Sequence, residues 1–182
     1  MAKKANPVLE RQLKLRATLW PNINDRMLWG GPNVQGFSMV PRAMPLIMNI
    51  MDDLSGKGFP VGMTYLELWC RLRDEGFLAL NRPEEMAFHA GFTGQRAVRT
   101  WKDRIKRLHE LGFINVQPGP LGELSYAIFL NPYHVIKRAY LDGQVSHAKW
   151  TALASRTLEI KAFDLEDIDD KGELIPPDTT AS

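Results

Sequence analysis

Cysteine is almost absent from this 182-residue sequence, and so are the long apolar runs that mark membrane proteins. Cys70 is the only cysteine, so no disulfide can form within the chain, and we expect a reducing environment. It lies among apolar neighbours at 68–72, which predicts a buried thiol. No apolar run approaches the roughly 20 residues of a membrane span, and the N-terminal residues lack the apolar stretch of a signal peptide. We therefore expect a cytoplasmic protein with no membrane partner.

The sequence also lacks the motifs of common enzymes and metal sites. Its four histidines show no metal-ligand spacing, either with one another or with the cysteine. His89 lies on a short predicted helix, where a hydrogen-bonded structural role is the simpler interpretation. No phosphate-binding loop, nucleophile elbow or dinucleotide fingerprint is present. We therefore expect no enzymatic activity, no cofactor and no metal ion.

Charge is distributed unevenly along a chain whose formal net charge is only +2. Residues 1–16 carry five cations against one acid, whereas residues 159–182 carry eight acids against two lysines. Between them, residues 93–112 carry six cations against two acids. Such asymmetry is typical of nucleic-acid contact with an acidic counterpart, although charged chain ends also serve solubility alone.

Residues 83–132 predict the unit around which the chain is organised. Glycine, threonine and proline interrupt the apolar periodicity where helix ends and tight turns require them. The predicted order is a helix at about 83–90, a stop at Gly91, a corner capped by Thr93, a long helix to Leu111 ended by Gly112, and strands at 113–117 and 123–130.

Further elements are predicted on both sides of this unit. Thr64 and Glu67 form a T-x-x-E capping box, and Trp20 and Trp29 are expected to pack on the core as apolar anchors. The remaining predicted elements are helices at 8–19, at 41–54, from Thr64 to about Gly76, from Pro132 after the cap Asn131 to Gly143, and from Ser146 to about Ile160, with a brief strand at 77–80.

Helix, corner, helix and hairpin in this order resemble a winged helix-turn-helix, and more loosely the winged-helix domains of plasmid and phage replication proteins and bacterial regulators. The resemblance covers about a third of the chain and implies nucleic-acid binding. It predicts a mainly α fold with a small β hairpin, of the α+β class. The expected organisation is an N-terminal arm and loop packing on the core at 1–36, a winged-helix domain at 37–143, a C-terminal helix at 144–162 and an acidic disordered tail at 163–182.

The long helix has two contrasting faces. Its apolar residues recur at helical spacing and form an inner stripe of Val98, Trp101, Ile105 and Leu108. The resemblance implies that the opposite, cationic face enters the major groove, where Arg pairs with guanine and Gln with adenine. The predicted DNA-binding residues are Thr93, Gln95, Arg96, Arg99, Thr100, Lys102, Lys106 and Arg107, with Lys106 and Arg107 nearer to phosphates. A solvated basic face, stabilised by pairs such as Arg99 with Asp103, is the simpler alternative.

The predicted hairpin departs from the winged-helix pattern. Many wings place Lys or Arg against DNA phosphates, whereas residues 113–131 contain neither. Neutral groups such as Asn115, Gln117 and Ser125 could still contact phosphate. Two functional hypotheses therefore remain. One is a sequence-reading double-stranded DNA-binding protein, acting as a transcriptional regulator or a plasmid- or phage-type replication factor. The other is a winged-helix protein-interaction or scaffold module without DNA binding.

The last predicted helix carries an apolar stripe beyond a domain that its pattern already completes. The stripe comprises Trp150, Leu153, Ala154 and Leu158. It predicts a homodimer that presents two long helices to major-groove faces about 34 Å apart, or else it folds back on its own domain. The acidic residues from 164 onward predict a tethered competitor for the basic surface, or alternatively a solubility tail.

Overall fold

The computed structural model of the protein describes four stretches of the chain: residues 7–19, 21, 36–72 and 76–176. By its internal contacts the chain divides into two compact units, Met1–Phe37 and Ser38–Ser182. None of the helices in the described stretches combines the length and the apolar composition needed to cross a lipid bilayer.

The first unit contributes one described helix. Helix α1 spans Pro7–Leu19 and confirms the prediction of a helix in this part of the sequence. Its side chains Leu15 and Leu19 are exposed. The predicted anchors Trp20 and Trp29 lie outside the described residues.

The second unit is an α+β fold, which confirms the predicted combination of a mainly α chain with a small β hairpin. Its described elements are α2 (Met44–Ser55), α3 (Gly62–Arg71), β1 (Phe77–Ala79), α4 (Pro83–His89), α5 (Ala97–Glu110), β2 (Ile114–Gly119), β3 (Gly122–Phe129), α6 (Pro132–Leu141), α7 (His147–Ile160) and a 3-10 turn (Asp164–Asp167).

The three strands form one antiparallel sheet in the order β1-β3-β2. The β2–β3 hairpin supplies two strands, and β1 pairs with the far edge of β3, so that Phe77 lies opposite Ile128. Side chains alternate between the two faces of a strand. Val116 and Ala127 are therefore buried, whereas Phe77 and Ile128 are exposed on the other face.

The core of this unit is built from the positions that helical periodicity predicts. Trp101, Ile105 and Leu108 on α5 are fully buried, and Val98 packs against them at the edge of the core. Helix α2 buries Met44, Ile47, Ile50 and Met51 against the same cluster. The long cationic helix is therefore held by its apolar stripe, and its polar side is free to face outward.

The start of α3 differs from the prediction. Thr64 does not cap this helix, because α3 already begins at Gly62 and Thr64 is fully buried within the first turn. The carboxylate of Asp52, on α2, instead accepts hydrogen bonds from the backbone N–H groups of Val61 and Gly62, both at 2.7 Å. A cap supplied by another helix leaves no trace in the local sequence.

We expect Asp52→Ala to lower the free energy of unfolding by about 1 kcal/mol, because two N–H groups at a helix start lose their acceptor. Asp53→Ala is the matched control. Its carboxylate pairs with Lys149 at an exposed surface position, where an ion pair contributes little. Urea unfolding of both variants measures the difference, and equal midpoints for the two would contradict the capping role of Asp52.

Cys70 is exposed, which overturns the prediction of a buried thiol. On α3 the buried residues Tyr65 and Leu68 define the inner face. Cys70 follows Leu68 by two positions, about 200° around the helix, and therefore points away from the core.

Helices α6 and α7 begin at the predicted caps. The Asn131 side chain accepts from the Tyr133 N–H, and the Ser146 side chain accepts from the Lys149 N–H. The apolar stripe of α7 is largely used within its own unit. Leu153 is fully buried, and Trp150 stacks on Tyr140 with ring centroids 4.5 Å apart.

The acidic segment after α7 contacts α6 between Leu165 and Gly172, whereas the sequence predicts a disordered tail at 163–182. Lys137 donates to the backbone oxygens of Leu165 and Ile168, and Arg138 donates to that of Gly172 at 2.8 Å. Ile168 is 1% exposed. Residues 177–182 lie outside the described part of the chain.

Two carboxylates of this segment, those of Asp164 and Asp169, accept hydrogen bonds from nearby groups. Asp164 accepts from the Asn131 side chain at 2.7 Å, and Asp169 accepts from the backbone N–H groups of Lys171 and Glu173. These hydrogen bonds lower the pKa of Asp169. The described part of this segment is thus held in place by hydrogen bonds, and its role as a tethered competitor stays a prediction.

Candidate nucleic-acid interface

A tight corner joins α4 to α5. Helix α4 ends where Gly91 adopts a φ of +91°, the left-handed conformation predicted for this glycine. The N–H groups of Gly91 and Phe92 return to the carbonyls of Phe88 and Ala87, a pattern that satisfies the open end of the helix. The two helices pack against each other across this corner.

Arg71 fixes α4 against α3. Its guanidinium contacts the carboxylate of Glu67 on its own helix and donates to Glu85 on α4 at 3.0 Å. Another nitrogen lies 2.8 Å from Nδ1 of His89, which must accept because arginine has only donors. His89 thus has the predicted hydrogen-bonded structural role. Burial raises the pKa of Glu67, and its hydrogen bond with Arg71 partly opposes this shift.

The start of α5 lies four residues beyond the predicted cap. The residue at the N-cap is Arg96, whose side chain makes no capping hydrogen bond. Thr93 is exposed in the corner and is too far from the first helical turn to cap it. Gln95 and Arg96 therefore project from the turn that leads into α5, and Arg99 is the first exposed cation within the helix.

One exposed face of α5 collects most of the predicted DNA-binding side chains. Arg99, Lys102 and Lys106 are exposed, as are Asp103 and Glu110. The three cations recur at intervals of three and four residues, so they lie along one side of the helix. Together with Gln95 and Arg96 they form the basic face, the name used below for these five residues.

Other predicted site residues are less available. Thr100 is half-buried. Arg107 donates to the backbone oxygen of Leu54 at 3.0 Å and pairs with Glu110 at 3.0 Å, so it fastens α5 to the end of α2. Arg107 thus has internal partners at the position where the sequence predicts a phosphate contact.

Arg104 is a cation whose burial the sequence does not predict. Its exposed fraction is 8%, and its guanidinium carbon lies 3.4 Å from the centre of the Phe59 ring. Phe59 belongs to the loop between α2 and α3, far away in sequence. Helical spacing also places Arg104 next to Trp101 and Leu108 of the buried stripe, a signal that a count of cations overlooks.

The turn of the β2–β3 hairpin lies beside the basic face. Lys106 Nζ lies 3.8 Å from the carboxylate of Glu123, and both side chains are largely exposed. Ser125, one of the neutral groups predicted to reach phosphate, is 2% exposed. Its hydroxyl donates to the Gly122 carbonyl and accepts from the Leu121 N–H, so it stabilises the turn.

The outward face of the sheet is apolar. Phe77 and Tyr126 stack with ring centroids 5.8 Å apart, and Ile128 lies beside them. Asn115 and Gln117 complete the rim and hydrogen-bond to each other at 3.2 Å. These side chains line a shallow groove of roughly 410 Å³. The two amides predicted as phosphate contacts thus face this groove.

Among the described residues, no three His, Cys, Asp or Glu side chains converge in a way that could hold a metal ion. Comparisons with protein-family models, curated proteins and solved structures found no match. A functional inference for this protein therefore depends on the geometry of its own residues.

Proposed function

We propose that this protein is a cytoplasmic, sequence-reading double-stranded DNA-binding protein of the winged-helix class. The observation that carries the proposal is the basic face of α5, which is exposed along its length while the opposite stripe is buried. A helix of this kind is the right width for the major groove. The process it serves is transcriptional regulation or plasmid- or phage-type replication.

The order of elements supports this class. Helices α3 and α4 flank β1, α5 follows the corner, and β2 and β3 form the hairpin. The sheet order β1-β3-β2 places the short first strand beside the returning strand of the hairpin. In such an arrangement α5 is the recognition helix and the hairpin is the wing.

The residue types on the basic face suit base reading near the start of α5. Arginine pairs with the two acceptors of guanine, and glutamine pairs with adenine, each in bidentate geometry. Gln95, Arg96 and Arg99 would meet base edges, whereas Lys102 and Lys106 would lie nearer to the backbone. Selection of bound fragments from random genomic DNA, followed by sequencing, tests this proposal, and recovery of no preferred sequence would contradict it.

We expect Lys106→Ala to weaken binding to all duplexes alike. One phosphate contact contributes about 0.9 to the slope of log affinity against log salt, so the slope should fall by that amount with the sequence preference unchanged. Glu123→Gln is the matched control, because it removes the partner carboxylate and should strengthen non-specific binding. A changed sequence preference in Lys106→Ala would contradict a phosphate contact.

The outward face of the sheet favours a second candidate, a protein-interaction module. Phe77 and Ile128 are 52% and 45% exposed and adjoin the stacked Tyr126. A hairpin without cations, beside an apolar groove, is better suited to bind a protein partner than to bind phosphate. This candidate gains support only if the genomic selection recovers no DNA.

A homodimer through α7 is also proposed, with a smaller contact surface than the whole apolar stripe would provide. With Trp150 and Leu153 used inside the unit, the exposed apolar groups at this end are Leu158 and Phe163. Sedimentation of the full chain with and without Leu158→Lys tests whether they form a contact between copies.

A further inference from the structure

Arg104 is a buried cation that has no ion-pair partner in the part of the chain that the structure describes. Its guanidinium makes no hydrogen bond or ion pair with any residue of the described chain, and its Nε is fully buried without a partner. The carboxylates of Asp103 and Asp52 act on it only from a distance. Burying an unpaired charge is costly, so charges buried in proteins are normally paired. Arg104 therefore has hydrogen-bond donors that a partner from outside the chain could use.

The terminal nitrogens of Arg104 are placed to meet such a partner. Of the three guanidinium nitrogens, only Nε is both fully buried and unpaired in the described structure. The two terminal nitrogens therefore keep some contact with solvent. They can donate in the planar geometry that phosphate oxygens accept. Burial lowers the pKa of the group, but a guanidinium stays charged at any physiological pH.

The stacking platform beneath Arg104 is held firmly. The Ser55 hydroxyl donates to the Phe59 carbonyl at 2.6 Å, and the Phe59 N–H donates to the Gly56 carbonyl at 3.1 Å. Arg107, on α5, donates a hydrogen bond to the Leu54 carbonyl at the end of α2, just before this loop. A guanidinium stacked on an immobilised ring loses little further freedom when it binds an anion.

Arg104 belongs to an edge of α5 that meets the basic face only at Arg96. Arg96, Thr100 and Arg104 follow one another at intervals of four residues and therefore line one side of the helix. That side faces the loop between α2 and α3, where Lys57 is exposed. This edge therefore has cations both on the helix and on the loop, whereas the hairpin has Glu123 and no cation.

We propose that Arg104 binds a phosphate of the DNA backbone, so that this protein also contacts the strand beside the loop between α2 and α3. This inference rests on the proposed function. Arg104 would supply affinity for any sequence, and the start of α5 would supply the preference among sequences.

Arg104→Met tests the proposal, because methionine preserves the apolar stem and removes the charge. We expect the affinity for every duplex to fall about tenfold. The salt slope should fall by about 0.9, with the sequence preference unchanged. Thermal stability should hold or rise, since an unpaired buried charge is removed. Arg104→Lys should retain most of the salt slope, because it keeps the charge.

Arg156→Met is the matched control for the loss of one cation. Arg156 lies on α7, pairs with Glu159 at 2.7 Å, and should leave duplex binding unchanged. An Arg104→Met variant with wild-type affinity and salt slope would overturn this inference while the proposed function stands. A variant that only melts earlier, with unchanged affinity of the folded protein, would assign Arg104 a structural role.

Inorganic phosphate separates the two sources of this anion. If millimolar phosphate raises the melting temperature of the wild type but not of Arg104→Met, while both bind duplex DNA equally, the site takes free phosphate and the backbone contact is refuted. If the wild type binds no duplex at all, the proposed function itself fails.

Discussion

Replacing both Arg96 and Arg99 by alanine is expected to abolish sequence preference while leaving the fold intact. Each bidentate contact to guanine contributes about 1–3 kcal/mol of discrimination. Both side chains are exposed and have no buried partner among the described residues, so their removal leaves the core unaffected. Anisotropy titrations on a selected site and on a scrambled duplex should show the two affinities converging.

Two further variants separate base reading from charge. Arg99→Lys keeps the cation and loses the planar fork, so the selected site should weaken while the scrambled duplex binds as before. The double variant Arg42→Ala/Arg156→Ala removes the same net charge at the groove between α2 and α7 and should preserve the preference. Tight, selective binding by Arg96→Ala/Arg99→Ala would refute the assignment of α5 as the recognition helix.

Local patterns were sufficient to predict the elements that form the candidate site. The i, i+4, i+7 spacing of Trp101, Ile105 and Leu108 identified the buried side of α5, and that in turn identified the exposed side. Gly91 and Gly112 marked helix ends because both backbones adopt positive φ there. Such signals lie within a few residues of the feature they predict, so one sequence is enough to find them.

Features that depend on distant parts of the chain were not predictable in this way. Asp52 caps a helix nine and ten residues further on, which made the capping box at Thr64 a false signal. Arg104 lies at the border of the buried stripe of α5, and its stacking on the distant Phe59 could not be read from the sequence. The acidic segment was expected to be disordered, but Lys137 and Arg138 on α6 hold its backbone.

These corrections change how the candidate interface works. Arg107 was expected at phosphates and is instead tied to the Leu54 carbonyl, whereas Arg104 was not expected there and has unpaired donors. A count of cations from the sequence therefore gives the net charge of α5 but does not separate the cations that have internal partners from those that are exposed. The edge of the helix beside the loop between α2 and α3 becomes the better candidate for backbone contacts.

Truncation of Trp101 to alanine is expected to have the largest effect on stability, about 3–5 kcal/mol. Trp101 is 1% exposed and is among the largest fully buried side chains in the described core. The loss should lower the melting temperature by on the order of 10 °C in a unit of this size. Lys102→Ala, on the exposed side of the same helix, is the control and should change stability by less than about 0.5 kcal/mol.

The indole of Trp101 adds a second comparison. Its Nε1 is buried without a hydrogen-bond partner in the described structure, so the ring contributes packing and its polar group contributes a cost. Trp101→Phe removes that polar group and keeps most of the volume, and should therefore destabilise the protein much less than Trp101→Ala. Because the role of this residue is in the core, the folded fraction of either variant should bind duplex DNA with wild-type affinity at low temperature. A Trp101→Ala protein that melts normally and has lost DNA binding would mean that the two faces of α5 are assigned the wrong way round.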